Sequence, residues 1–401
     1  MGKKKAKFVL SLLGVIVAIA AGWSSARAAD EILIGLAGST SGAMASFDDN
    51  PTKMAQIFVD DINAKGGLLG KKLKVVFADA KSDRVEGVKA AQEVLRQGAD
   101  IVFGSCDYDY GSPAVFEAQK AGKIGAYLCA EDPKAGIAGP NVFTTSAVAQ
   151  AQGVAMANWG YEKKGFRSAY VLLDDYVEYG KSVCGGFEWK FASNGGSVVG
   201  RDTFKNTDVS IASQVTRIRE AAAAKKVDVI MLCSNPPGGA SAMRQIRAAG
   251  IDLPVMSDSA MDGTYWLNSV PGLKEFYLPV AVSIFGDDPR KEVAALIERY
   301  KAKFNSTPAT NYAFPIYSFL ELWAKAVAKV GSLDTAKVVQ VMNTFKHEPT
   351  TLGPRTFASG QHIQTSVPLL IISISNGEGK VIDQVYDKEP IPSKVLYRTG
   401  N

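Results

Sequence analysis

Short apolar runs alternate with helix-patterned stretches along most of this chain, and that alternation is the tightest constraint on its fold. The clearest instance lies between residues 101 and 133. Ile101-Val102-Phe103 reads as a buried strand, Ser112-Pro113 as an N-cap followed by the first helical position, and Gly122 as the end of that helix. Ile124 to Leu128 is the next strand. Strand, helix, strand at this spacing is a βαβ unit, which requires a parallel sheet. Ligands of such sheets bind outside the carboxyl ends of the strands. The loops there are Cys106-Asp107-Tyr108-Asp109-Tyr110 and Cys129-Ala130-Glu131-Asp132. Aromatic faces, carboxylates and helix N-terminal amides suit a pocket better than a covalent reaction.

The same pattern runs outward in both directions. Glu31–Gly38, Leu73–Ala78 and residues 101–128 supply strands, with helices over 51–64 and 85–97 between them. Met54, Ile57, Phe58 and Ile62 fall on one helical face. After Pro140 a short extended piece (142–146) and a helix (149–159) lead into a second series. Its strands are 169–173, 197–204, 227–233 and 254–256, and its helices 180–192, 211–225 and 239–249. Helices over 290–304, 313–330 and 335–343 then follow an extended stretch, 276–285, and two strands (366–375 and 380–386) close the chain. Late helices without strands between them must pack on a sheet already made. The expected architecture is therefore α/β, with two doubly wound Rossmann-like lobes joined by three hinge crossovers. Lobe 1 is read as 30–146 plus 283–345, lobe 2 as 147–282 plus 346–390, and 391–401 as a C-terminal tail.

Residues 1–29 have the form of a signal peptide: Lys3, Lys4, Lys5 and Lys7, an apolar run from Phe8 to Ala21, and small residues around Arg27. The apolar run is shorter than the roughly 20 residues of a span, so a membrane anchor is the weaker reading. The mature chain is expected to start near Ala29 or Asp30, in the periplasm. Those lysines account for most of the net charge of +5, so nothing points to nucleic acid. The four cysteines, in a compartment that permits disulfides, allow three pairings. Cys106 and Cys129 end neighbouring strands, which favours Cys106–Cys129 and leaves Cys184–Cys233. A zinc site is the competing reading, without CxxC spacing to support it.

Catalytic signatures are scarce. The two histidines, His347 and His362, lie outside the pocket loops, and His347-Glu348 lacks the second histidine of HExxH. Gly38-Ser39-Thr40-Ser41-Gly42 has threonine at its centre, so it is no nucleophile elbow. Gly70-Lys71 is preceded by Lys65 where a phosphate loop needs glycine. Asp107 and Asp109 also form a DxD pair, but without the downstream spacing of a calcium loop. Asn305-Ser306-Thr307 matches a glycosylation sequon and reads as an exposed turn. No enzyme activity, cofactor or metal is expected.

ILIGLAGSTSG (32–42), DINAKGGLLGKKLKVVFADAKSD (61–83), DYVEYG (175–180) and MRQIRAAGIDLPV (243–255) together resemble the type I periplasmic solute-binding proteins. The similarity is greatest to the branched-chain amino acid (leucine-binding) class of ABC importers. It implies two α/β lobes that close on a small-molecule ligand, a monomer, and an ABC permease in the inner membrane as partner. Position by position it implies that Phe47 is an aromatic beside the ligand and that Tyr179 is its second-lobe counterpart. Tyr108 stands where that class has serine, and Cys129 and Glu131 where it has a small residue and threonine, the groups that hold an amino acid's carboxylate and amino group. Asn235 and Asp258 fall on second-lobe contact loops, Asp258 near a carboxylate that holds an ammonium. The expected ligand set is thus Phe47, Asp107, Tyr108, Cys129, Glu131, Tyr179, Asn235 and Asp258. A glutamate facing a carboxylate is repelled unless protonated, so an amino acid is the default solute and an amine or aromatic metabolite the one the loops favour. An extracytoplasmic sensor of the same fold is the alternative.

Overall fold

The computed structural model describes residues 31–387 and 389–399. The signal-peptide reading and the expected start of the mature chain lie outside the described residues.

The first series forms β1 (Glu31–Ala37), α1 (Ala45–Ala64), β2 (Lys72–Phe77), α2 (Arg84–Arg96), β3 (Ile101–Gly104), α3 (Tyr108–Lys120), β4 (Ile124–Tyr127) and β5 (Val142–Thr144). Its five strands are parallel, in the order β2-β1-β3-β4-β5. Central β3 and β4 are buried on both faces, which is why they read as uninterrupted apolar runs. Glycine sets how closely α3 lies on them. A Cβ at Gly104 or Gly125 would come within 2.6 Å of a backbone carbonyl of α3.

The second series forms α4 (Gln150–Glu162), β6 (Ser168–Asp174), α5 (Glu178–Ser193), β7 (Ser197–Phe204), α6 (Ala212–Ala223), β8 (Val229–Cys233), α7 (Gly238–Ala248), β9 (Val255–Met256) and β10 (Phe276–Val280). Strand order β7-β6-β8-β9-β10 repeats that of the first sheet. Both sheets therefore reverse direction beside their first strand, and each has a topological switch point there.

The late helices α8 (Lys291–Phe304), α9 (Pro315–Val330) and α10 (Thr335–Met342) complete the first lobe. Tyr317 of α9 meets Phe58 of α1 edge-on at 5.4 Å, and Arg299 and Lys303 of α8 pair with Asp61 and Asp60. Strands β11 (Leu369–Ser375) and β12 (Glu378–Val385) extend the second sheet antiparallel beyond β10. A short helix, α11 (Ser393–Leu396), follows and packs on α5.

Three expectations are corrected. Helix α3 starts a turn before Ser112-Pro113. Asp107 is its cap, its carboxylate accepting the N–H groups of Asp109 and Tyr110 at 2.8 and 3.2 Å, and Pro113 lies inside. Helix α1 starts at Ala45 rather than Pro51, because the buried Asp48 carboxylate draws that turn in by accepting Ser39 N–H, Cys106 N–H and Ser105 Oγ–H. Residues 346–364, assigned above to the second lobe, pack on the first. Phe357 meets Phe143 at 5.3 Å, and His362 stacks on Phe143 at 3.9 Å while its ring nitrogens contact Val142 O and Asn343 Oδ1.

Candidate functional site: a closed cleft between two sheets

The carboxyl ends of the parallel strands of the two sheets face each other, and a cavity of about 60 Å³ lies between them. On the first-lobe side the start of α1 supplies its cap Met44 and Phe47, the β3–α3 loop Cys106 and Asp107, the first turn of α3 Tyr110, and the loop after β4 Cys129, Glu131 and Asp132. Tyr312, from the turn before α9, completes that wall. Opposite are Tyr176, Val177 and Tyr179 after β6, Asn206 after β7, Asn235 after β8 and Ala260 after β9.

Six of the eight expected ligand residues are thus brought together: Phe47, Asp107, Cys129, Glu131, Tyr179 and Asn235. Tyr108 and Asp258 are not on the cavity wall. The early start of α3 turns Tyr108 away, onto Tyr127 (6.0 Å between rings), and presents Tyr110 to the cleft instead. Asp258 is fully buried beneath the floor, where its carboxylate accepts Ser234 N–H and Ala260 N–H at 2.9 and 3.0 Å. It organises the loops after β8 and β9. Asp107 has two positions at once, capping α3 and lining the cavity. Cys129 is joined to Cys106 across the ends of β3 and β4 (Cα–Cα 4.4 Å), and Cys184 of α5 to Cys233 of β8 (5.9 Å).

One polar network ties the walls together. Tyr312 Oη–H donates to Glu131 Oε2 at 2.8 Å, and Gln152 Nε2–H of α4 donates to the same oxygen at 2.6 Å. Gln152 Oε1 accepts from Tyr179 Oη–H (2.8 Å) and Ser259 N–H (2.9 Å). Glu131 and Tyr312 belong to the first lobe, Gln152 and Tyr179 to the second. Gln152 and Tyr312 carry no local signal in the sequence. Only the return of the chain to the first lobe after β10 delivers Tyr312.

The acids of the floor are held away from their ordinary ionisation. Burial pushes Glu131 up to about 8 against the pull of Tyr312 and Gln152, and Asp258 up to about 8. Burial, then the charge of Asp109, pushes Asp107 up to about 7. No lysine, arginine or histidine is among the lining residues to offset them.

The rim is built differently. Tyr110 and Tyr176 hydroxyls meet across it at 3.4 Å, and Asp109 accepts Glu178 N–H at 3.0 Å. Lys134 pairs with Glu178 at 2.7 Å, and Ser182 Oγ–H donates to Asp132 at 2.9 Å. Arg398, from the C-terminal tail, reaches Glu178, Ser182 and Asp132 together. These contacts join opposite lobes, so the structure is the shut form. Among the described residues no helix is long and apolar enough to cross a membrane.

Residues 31–378 match the family described as periplasmic binding protein. The chain belongs to the periplasmic binding proteins. A relative from Pseudomonas aeruginosa, a leucine-, isoleucine-, valine-, threonine- and alanine-binding protein, is 27% identical over 87% of this chain and 92% of its own. The substrate-binding protein of a branched-chain amino acid transporter from Streptococcus pneumoniae, solved with isoleucine, superposes with a TM-score of 0.77. It is 22% identical over 89% of this chain and all of that one. A solute-binding protein of an ABC transporter from Rhodopseudomonas palustris, solved with 3,4-dihydroxybenzoic acid, gives 0.76 at 18% identity, over 90% and 98% of the two chains. The resemblance read from the motifs and the two-lobed α/β fold are borne out. As a periplasmic binding protein the chain captures a small solute between its lobes, and the family is one of binders rather than enzymes.

Proposed function

We propose that this periplasmic binding protein captures an amine-bearing solute with a flat or apolar body and delivers it, unaltered, to an ABC permease in the inner membrane. The observation that carries the reading is the cavity wall. It presents Asp107 and Glu131 without a cationic partner, Asp132 being answered by Arg398, and the rings of Phe47, Tyr110, Tyr176, Tyr179 and Tyr312. An ammonium answers the carboxylates, and the rings add cation–π and stacking contact. A plain carboxylate finds no cationic side chain on that wall to answer it.

Closure follows as a shift in population. The Glu131–Gln152–Tyr179–Tyr312 network needs both walls in place, and a solute that bridges them stabilises the shut form that a permease recognises. Release returns the lobes to the open form.

A thermal-shift screen tests this with tyramine, benzylamine and choline against leucine, benzoate and a polyol. A solute at about 100 times its Kd adds about 2.7 kcal/mol of stability. The amines should raise Tm saturably and be recovered chemically unchanged. A response confined to leucine or benzoate would overturn the assignment of solute class, and turnover of the bound compound would overturn the binding role.

A further inference from the structure

Behind the solute cavity, on the far side of Glu131, lies a second and smaller one of about 20 Å³. It sits where the chain passes between lobes. Ser146 comes from the first crossing, Ala281 from the second and Val367 from the third, while Arg355 comes from the first-lobe segment 346–364. We infer that this hinge cavity is a site for one small anionic group, held by Arg355.

Arg355 is 6% exposed, yet among the described residues it has no ion pair and no side-chain hydrogen bond, and its Nε is buried without a partner. Ser146 Oγ, on the same wall, is equally unpartnered. The charged groups that act on Arg355 are Arg290 and Glu321, and both are engaged elsewhere. Asp288 takes Arg290 at 2.7 Å, and Glu321 accepts Thr351 N–H and Oγ1–H at 2.8 and 2.7 Å. Burial lowers the guanidinium only to about 10, so it stays charged at neutral pH. Thr351 offers Glu321 only neutral donors, so its charge still acts on Arg355, but without an ion pair or hydrogen bond, and a buried charge left without a direct partner is costly.

Ala151 and Gln152 of the first turn of α4 and Pro315 at the start of α9 also line the cavity. The N–H groups of Ala151 and Gln152 already bond Val148 O and Ala149 O, and proline has none, so the anion rests on Arg355 and Ser146. Glu131 shares the wall, but its Oε2 is occupied by Tyr312 and Gln152, and with its pKa near 8 it is mostly protonated at neutral pH. The space suits an occupant of about one water molecule's size. That favours chloride, bromide or one end of a carboxylate over the larger sulfate or phosphate. The source is either a free halide or the carboxylate of a solute reaching past Glu131.

The test begins with solute-free protein, so it stands apart from the identity of the solute. Melting is followed in sodium chloride, bromide and gluconate at equal ionic strength. Chloride and bromide should raise Tm saturably and gluconate should not, and Arg355→Met should weaken the halide response at least tenfold. If that variant does not fold, crystals of the unaltered protein grown in bromide should show an anomalous peak beside Arg355. Solute affinity that is indifferent to chloride assigns the site to the free ion; affinity that falls in step with chloride assigns it to the solute's carboxylate. Halides that stabilise no more than gluconate, with no bromide peak in the hinge cavity, overturn the inference.

Discussion

The rim and the floor of the cleft use the same acids in opposite ways. At the rim Glu178 is only partly withdrawn from water, and Lys134, Lys181 and Arg398 hold its carboxyl down at about 2 despite that burial. On the floor Glu131, of the same residue type, meets only neutral donors and is pushed up to about 8. The rim has supplied its own counter-charges and so fastens the lobes to each other. The floor offers its acids no counter-charge and so holds them towards the neutral form; under the proposed reading an incoming ammonium ionises Glu131. The contrast separates what holds the cleft shut from what chooses its contents.

Removing the floor's charge should have the largest effect. Glu131→Gln keeps the shape but deletes the partner of the ammonium. Truncating one side of a buried charge pair costs about 2–5 kcal/mol, so amine affinity by calorimetry should fall roughly thirtyfold or more. An unchanged Kd would place the amine elsewhere.

The pH dependence sharpens the same contrast. Burial raises Glu131 and Asp258 to about 8 in the folded chain, from ordinary values of 4.5 and 3.8. Between those limits the folded state binds more protons than the unfolded one. Their contribution is therefore full at low pH and is lost as pH rises towards about 8. The solute-free protein should melt at falling temperature across that window. An amine favours ionised Glu131, so its binding should release protons at neutral pH, and its thermal shift should grow as pH rises to 8. Glu178 runs the other way, its contribution being lost as pH falls from 4.5 towards 2. Calorimetry in buffers of different ionisation enthalpy reads the proton release directly. Uptake instead of release would contradict an ionised Glu131 in the complex.

Loosening the rim should do less. Arg398 and Glu178 are about a quarter exposed (27% and 21%), and ion pairs of that kind contribute about 0.5–1 kcal/mol. Arg398→Ala should raise the solute off-rate roughly two- to fivefold, leaving proton release unaltered. A loss as large as that of Glu131→Gln would mean that rim and floor do not divide the work.

How much of this could be read from the residues follows from where the signal is local. Buried parallel strands such as Ile101–Gly104 are continuous apolar runs, and the helices between them carry a periodicity, so the two-lobed alternation was legible. Helix starts were not. The cap on α3 is an acid whose neighbours, Tyr108 to Gly111, look like loop, and Asp48 draws in α1 through partners as distant as Cys106. Gln152 and Tyr312 meet Glu131 only because separate crossings deliver them. Residues 346–364 have no period at all, and their placement rests on Phe357 and His362 finding Phe143.

The smallest expected effect falls on the residue that position-matching and geometry treat most differently. The resemblance puts Tyr108 where the leucine-binding class has serine, yet its ring lies against Tyr127, in a cluster with Val115 and Ala130. Tyr110, on the same first turn of α3, lines the cavity, and its hydroxyl meets that of Tyr176. Tyr108→Phe should leave solute affinity within measurement error and stability within about 0.5 kcal/mol, as for substitutions away from special features. Tyr110→Ala should weaken binding by the loss of one ring face, about 0.5–2 kcal/mol. Measured side by side, the two variants decide whether the capped start of α3 has moved recognition from one tyrosine to the other. If Tyr108→Phe weakens binding and Tyr110→Ala does not, the first-lobe wall is that of the amino-acid binders after all, and the unanswered acids of the floor need another explanation.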